Sequence, residues 1–438
     1  MTLGNHGLNL DPIRCAGKAA RDQKFIIEHR PHQGQQGSYS VHPQEANRDT
    51  GSLLVLLLMG GFGVMGGSLV APGLPALTEP FGVSDDAVGL VLGILTFSAA
   101  LTLPFTGLLL DILGRRTVGL SCLILNGAAG VLCALAPSFG VLLALRFIQG
   151  AAASGLIPTG MVIIGDRYAG EDRLRLIGMF VGVLAGTAAI SPLVGGVLAA
   201  YSWRYPFYLY GLSFLLAGAF WLLVDETAPP EETLADRPTR LGDILIVVRS
   251  VLRASRVRIV FAHAVVLYFL LYTVVTFVPL FLVFTRGLTV AFAGLALSGQ
   301  ALVEALVATQ ARQVNRWLPG RARLTLGFGF MALGLILLPL CSAQLTMVLS
   351  LMVFGTGMGI AQPAVYDQAT SASPRHIAGS VLGLFNAMKS IGMSLAPALL
   401  MGVYAHLGSV YVFFAAAALG MIWLLTTNLL GLDSTGEA

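Results

Sequence analysis

The sequence predicts an all-α membrane protein, with twelve transmembrane helices arranged as two pseudo-symmetric six-helix bundles. Three observations carry that prediction. The 438 residues are 56% hydrophobic and 11% charged, where a soluble chain carries about 25% charged residues. Twelve apolar runs are each long enough to cross a bilayer as a helix. One hydrophilic break, residues 225–258, falls between the sixth run and the seventh. Six spans on either side of a break is the arrangement of internal repeats with a binding cavity between them.

In chain order the runs fall near 52–71, 87–106, 117–136, 139–164, 175–200, 205–224, 259–284, 290–311, 323–340, 345–366, 378–402 and 407–430. Residues 1–50 are polar, lack an apolar run or signal peptide, and are expected to be a disordered cytoplasmic tail. Residues 51–224 form the first bundle, 259–431 the second, and 432–438 a closing cytoplasmic tail. The linker is acidic from Asp225 to Glu232 and basic from Arg237 to Arg258. Its stretch Leu241 to Leu252 reads as an amphipathic helix lying on the inner membrane face.

Loop charge sets the orientation. With the N-terminus inside, sixteen arginines fall in inner loops. They are Arg115, Arg116, Arg167, Arg173, Arg175, six from Arg237 to Arg258, Arg312, Arg316, Arg321, Arg323 and Arg375. Only Arg204 and Arg286 fall outside. The positive-inside rule therefore places both termini in the cytoplasm of a multi-pass protein, expected in a bacterial inner (plasma) membrane. The arginines are scattered through short loops, which argues against a nucleic-acid partner. Of the four cysteines, Cys15, Cys122, Cys133 and Cys341, the middle two share a helix about 16 Å apart, too far for a disulfide. No metal-ligand spacing, nucleotide-binding P-loop or nucleophile-and-base arrangement is visible, so no enzyme, cofactor or metal site is expected.

Four stretches carry chemistry. Between the second and third runs lies Gly107-Leu-Leu-Leu-Asp111-Ile-Leu-Gly114-Arg115-Arg116. An acid beside paired arginines at a tight turn makes either a charge-assisted latch or a solvated loop. Asp166, at the inner end of the fourth run, is the second acid such a latch would use. Within the fourth run, Leu142-x-x-x-Arg146-x-x-Gln149-Gly150 places an arginine in hydrocarbon, where it needs a cavity or a partner. The fifth run reads Gly182-x-x-x-Gly186 and then Ser191-Pro192-Leu-Val-Gly195-Gly196, small residues that let helices touch backbone to backbone. Glu304 and Lys389 are the other charges inside spans. Either they form an ion pair, or Glu304 carries a proton.

The first of these stretches, G-x-L-x-D-x-x-G-R-R, resembles the signature loop between helices two and three of the major facilitator superfamily of secondary transporters. The fourth-run pattern L-x-x-x-R-x-x-Q-G resembles the same superfamily, as do the Pro72-Gly-Leu-Pro75 ending of the first span and Trp203-Arg204 with Phe207. Pro192 with Gly195-Gly196 resembles the motif of its drug and metabolite antiporters. Two positions depart from the pattern: Ile112 stands where a basic residue usually follows the aspartate, and Ser191 where a glycine usually precedes the proline. Asn315 to Arg321, after the eighth run, occupies the place of a second copy that has lost its aspartate. The resemblance implies the major facilitator fold and export of a small organic molecule, drug-like or a metabolite such as a siderophore, by proton antiport through alternating access. It implies a conformational latch at Gly107, Asp111, Gly114, Arg115, Arg116 and Asp166. Proton coupling falls to Arg146, Glu304 and Lys389, because the first span lacks the usual carboxylate and Asp111 sits at the surface. Met65, Asn126, Gln149, Tyr268, Tyr272, Gln300, Gln362 and Asn386 are expected to line the cavity. The partners are then the small-molecule substrate, protons and the lipid bilayer, with a monomer expected. A membrane sensor or assembly factor that kept the fold and lost transport is the reading from another class.

Overall fold

The computed structural model describes residues 43–227, 255–318, 320–371 and 378–429. Among them are twelve helices long and apolar enough to span a membrane: α1 Thr50–Ser68, α2 Ala87–Leu113, α3 Arg115–Ala134, α4 Phe139–Arg167, α5 Gly170–Tyr201, α6 Tyr205–Leu223, α7 Val257–Thr285, α8 Val290–Thr309, α9 Gly320–Leu340, α10 Gln344–Ser371, α11 Val381–Leu407 and α12 Ser409–Asn428. The described residues contain no β-strand. Every expected run is a helix, with shifted ends. α5 starts at Gly170, five residues early, because Glu171, Asp172, Arg173 and Arg175 are helical although charged. Hydropathy reports depth in hydrocarbon rather than the helix end, and acids suit a helix N-terminus. The helix carrying α1 already begins at Pro43, inside the expected tail. Residues 1–42, the amphipathic helix expected at Leu241 to Leu252 and the closing tail lie outside the described residues.

Successive spans alternate in direction, so the turns α2–α3, α4–α5 and α8–α9 share one end of the bundle, here the arginine end. At the opposite end, α1 gives way to a buried 3₁₀ segment, Ala71–Leu77. Pro72 and Pro75 cannot donate the backbone bonds that would continue α1, so the chain tightens and turns there. That segment packs against α5, α7 and α8. The two halves meet through the pairs α2–α11 and α5–α8.

Their contacts cluster at the opposite end. A Cβ added to Gly196 would lie 2.9 Å from Gly294 Cα, and one on Gly93 would lie 3.0 Å from Pro397. The Leu193 N–H donates to Ser298 Oγ at 2.8 Å. Toward the arginine end, a Cβ at Gly107, Gly178, Gly182, Gly186 or Gly383 meets nothing within 4 Å. The close approach expected at Gly182 and Gly186 is therefore absent here, and the touching glycines of α5 are Gly195 and Gly196.

Candidate functional site

The α2–α3 turn is a single residue. Gly114 has φ +84°, a left-handed conformation that costs glycine little and other residues much. A Cβ there would also lie 2.5 Å from the Glu226 carboxylate. Arg115, 3% exposed, follows it. Its guanidinium reaches Asp111 at 3.1 Å and Asp166 at 3.2 Å, and donates to the Leu110 carbonyl at 3.1 Å. The backbone N–H groups of Arg115 and Arg116 donate to the two Glu226 oxygens at 2.8 and 3.0 Å. These are orphan donors of a helix start, where an anion is favoured by the dipole. Arg116 stacks over Trp221, 4.2 Å from its centroid, and Thr227 donates to Asp166 at 3.2 Å. The cluster thus ties α2, α3, α4 and the chain after α6 into one unit within the first half. Gly107 lies three residues before Leu110, in open space.

Arg146 is fully buried. Its Nη1 donates to the Gly66 carbonyl at 3.1 Å and to Gln149 Oε1 at 2.9 Å, and its guanidinium lies 4.8 Å from the Phe207 centroid. The Tyr210 hydroxyl donates to the neighbouring Met65 carbonyl at 2.9 Å. Arginine and tyrosine together hold the last carbonyls of α1, just before the 3₁₀ segment. Among the described residues no carboxylate lies within ion-pair distance of Arg146. Its Nε and Nη2, Gln149 Nε2 and both polar atoms of Asn126 are buried without a partner.

In the second half a polar chain runs across α7, α8, α10 and α11. Gln300 Nε2 donates to Glu304 Oε2 at 2.9 Å. Gly355 and Gly359 bring α10 against the backbone of Gln300 and Glu304, since a Cβ at Gly355 would sit 2.4 Å from the Gln300 carbonyl. Lys389 Nζ donates to the Tyr366 hydroxyl at 2.5 Å and sits 4.6 Å from the Tyr268 ring centroid. Gln362 Nε2 donates to the Tyr268 hydroxyl at 2.8 Å, and Tyr366 reaches Asn386 at 3.5 Å. The Glu304–Lys389 ion pair expected from sequence is not formed. Lys389 is occupied by aromatic faces and a phenol, and Glu304 by an amide.

The expected cavity residues fall in different surroundings. Asn126 and Gln149 are fully buried within the first half. Tyr268, Gln300, Gln362 and Asn386 belong to the second-half chain. Tyr272 crosses between the halves, its hydroxyl 2.6 Å from where a Cβ on Gly67 would be. Met65 lines a cleft of about 180 Å³ with Leu69, Thr187, Ile190, Ser191, Val194 and Leu209. In that cleft Ser191 has a use for its hydroxyl, which pairs with Ser68 Oγ at 2.6 Å. Pro192 and Gly195 face backbone: Gly195 lies against the Leu69 carbonyl, 1.8 Å from a built Cβ, and the Pro192 carbonyl lies against Gly294.

Set against known proteins, the chain matches the Major Facilitator Superfamily model over residues 56–397. It belongs to the major facilitator superfamily. Among curated relatives, the bacillibactin exporter of Bacillus subtilis (strain 168) is 27% identical over 349 residues, 76% of this chain and 85% of that protein. Multidrug transporter protein MdtP of the same organism is 29% identical over 169 residues, 38% of this chain and 31% of that protein. A solved bacterial homolog of the human lysosomal transporter Spinster, inward-facing and unoccupied, superposes with TM-score 0.71 at 17% identity. That match covers 88% of this chain and 96% of the solved one, and speaks for the fold.

Membership fits both departures noted in the motifs. Ile112 is 59% exposed, so an apolar side chain there faces outward from the latch rather than breaking it. Ser191 replaces a glycine at a place where α1 and α5 leave room for two hydroxyls. Glu226 escaped the sequence reading. The signal that could have found it is position: α6 returns to the arginine end, so the acidic pair after it, Asp225 and Glu226, falls near the start of α3, and Glu226 is the member that caps it. Among the described residues no cluster of three or more His, Cys, Asp or Glu could hold a metal ion.

Proposed function

We propose that the chain is a secondary active exporter, moving small organic molecules across a bacterial inner membrane in exchange for protons by alternating access. Both termini are cytoplasmic, residues 225–258 link the halves, and the protein works as a monomer with cargo, protons and lipid as partners. The observation that carries the reading is Glu304. Among the described residues it is the carboxylate placed inside a span away from the helix ends, and Lys389 is the cation placed inside a span of the same half. A proton taken up by Glu304 removes the negative member of those two charges, and its release restores it. Rocking would then part Gly196 from Gly294. The Asp111–Arg115–Asp166 latch keeps the first half rigid during that movement, and Arg146 organises its core. Within the antiporter motif, Pro192 and Gly196 face Gly294 across the contact that parts, while Ser191 and Gly195 hold α5 to the end of α1. The relatives named as an exporter and a multidrug transporter support the outward direction. The first of them favours a dedicated metabolite exporter, a siderophore exporter for instance, as the second reading.

Inside-out vesicles with an acidified lumen test this. Cargo entry with proton exit is read from a pH-sensitive dye, across a panel of anionic, neutral and cationic aromatic probes. Wild type is expected to exchange at least one probe, and Glu304→Gln to lose exchange with unchanged protein in the membrane. Normal exchange in Glu304→Gln overturns the carrier assignment. Failure of every probe, together with a native-like melting transition, favours the sensor or assembly role.

A further inference from the structure

Lys389 is held in a way that leaves it a task. Eight residues into α11 from Val381, its Cα stands about 12 Å along the helix from the span's arginine end. That is deep enough for a charge to require a partner. Its ammonium carries three N–H donors, and the Tyr366 hydroxyl accepts one. No carboxylate among the described residues lies within 4.0 Å of it. Two aromatic rings stand beside it, those of Tyr268 and Tyr366 at 4.6 and 5.0 Å. Both rings are fixed in place, Tyr268 by Gln362 at 2.8 Å and Tyr366 by an edge contact with Phe385 at 4.8 Å. A cation with free donors between two clamped aromatic walls matches a ligand with a negative group on an aromatic body. The wider charge balance agrees. Of the three ionisable charges deep in the spans, Arg146 and Lys389 are positive and only Glu304 is negative, so a cationic cargo would meet net repulsion.

We propose that Lys389, walled by Tyr268 and Tyr366, seats the negatively charged group of the cargo, and that the exported class is aromatic organic anions. This rests on the transporter reading above and adds a rule to it. The proton acts on Glu304 and the cargo on Lys389, so each ligand relieves a different member of one electrostatic pair.

The test is binding to the purified full chain in detergent, which does not require transport. The probes are three isosteric compounds: 1-naphthoate, 1-naphthamide and 1-naphthylmethylammonium. Titration calorimetry is expected to rank naphthoate first and the ammonium last. Lys389→Gln should weaken naphthoate by about tenfold and leave naphthamide unchanged, the loss of one charge-assisted contact. Lys389→Arg should restore most of the naphthoate affinity, which also controls for folding. Glu304→Gln should bind naphthoate more tightly than wild type, because a competing negative charge is gone. The proposal is overturned if the ammonium binds as well as naphthoate, or if Lys389→Gln weakens naphthoate and naphthamide equally. Selective binding without exchange in vesicles would keep the anion seat and reject the exporter.

Discussion

The two halves each hold an arginine at the start of their third span, and they hold it differently. In the first half, Arg115 is 4% exposed in its side chain and bridges two acids, Asp111 at 3.1 Å and Asp166 at 3.2 Å. In the second, Arg323 is 13% exposed and reaches one acid, Asp367, at 3.7 Å. Its other side-chain partner is Asn315, eight residues back in the corresponding turn of the second half. A neutral amide in place of a second acid separates a two-sided ionic lock from a one-sided hydrogen-bonded one. The first half also has Glu226 on the N-terminus of α3. The lesson is that a shared fold position sets the geometry of the contact while the charge count sets its strength. The first half's arginine is held from two sides by acids, and the second's from one.

The largest effect should come from removing the centre of the stronger latch. Arg115→Ala takes from Asp111 and Asp166 the guanidinium that both of them contact. Removing one partner of a buried ion pair costs about 3–5 kcal/mol. The low end is expected here, because the two carboxylates are 28% and 31% exposed and water screens them. Arg323→Ala should cost under about 1 kcal/mol, as for exposed pairs. Unfolding midpoints of the two variants in detergent check the contrast, and equal losses would erase it.

Next in size is Glu226→Gln. The amide keeps one acceptor for the α3 N–H groups but loses the charge that complements the helix start, a cost of about 1 kcal/mol. The wild-type advantage should shrink in high salt, because Glu226 is exposed. A salt-independent loss would mean that shape, not charge, is what Glu226 supplies.

Asn315→Asp sharpens the comparison from the other side. It would give Arg323 a second acid and make the halves alike, with a gain of about 0.5 kcal/mol at this exposure. If the one-sided hold in the second half matters, exchange in vesicles should slow while the melting midpoint rises. A faster exchange rate would reverse that reading.

How much of this was legible depends on the distance between partners. Asp111 and Arg115 are four residues apart on a helical spacing, so their pairing can be read from the chain. The spans were legible because lipid demands long apolar runs. Glu226 was not, since 111 residues separate it from the N–H group it caps. Arg146 was legible in part: Gln149 lies one turn further along its own helix, but its other partner is the Gly66 carbonyl, and backbone acceptors leave no mark in a sequence. Lys389 misled, because opposite charges suggest an ion pair, whereas two tyrosine faces and a phenol filled that role. Pattern reading finds charges and spacings; it does not find the neutral groups that receive them.

The smallest effect concerns the end opposite the arginine-rich turns. Asp85 and Asp86 lie side by side between the 3₁₀ segment and α2. Partial burial, and then the Asp86 charge, raise the Asp85 carboxyl above its ordinary value. The sign follows from linkage: a carboxyl whose folded value is raised binds its proton more readily in the folded state. The charged form therefore weakens the fold above the raised value, and the penalty fades as pH falls through it. Below about 3.9, the unperturbed value for aspartate, both states are protonated and no penalty remains. Asp85→Asn should accordingly raise the melting midpoint slightly at neutral pH, by under about 0.5 kcal/mol because the group is largely solvated. The difference from wild type should vanish in acid. The acids of the latch carry the opposite expectation: Asp111→Asn should lower the midpoint at neutral pH, since there the negative charge faces Arg115. Melting curves of the two variants at matched pH decide whether an acid at one end and an acid at the other differ only in having a cation beside them.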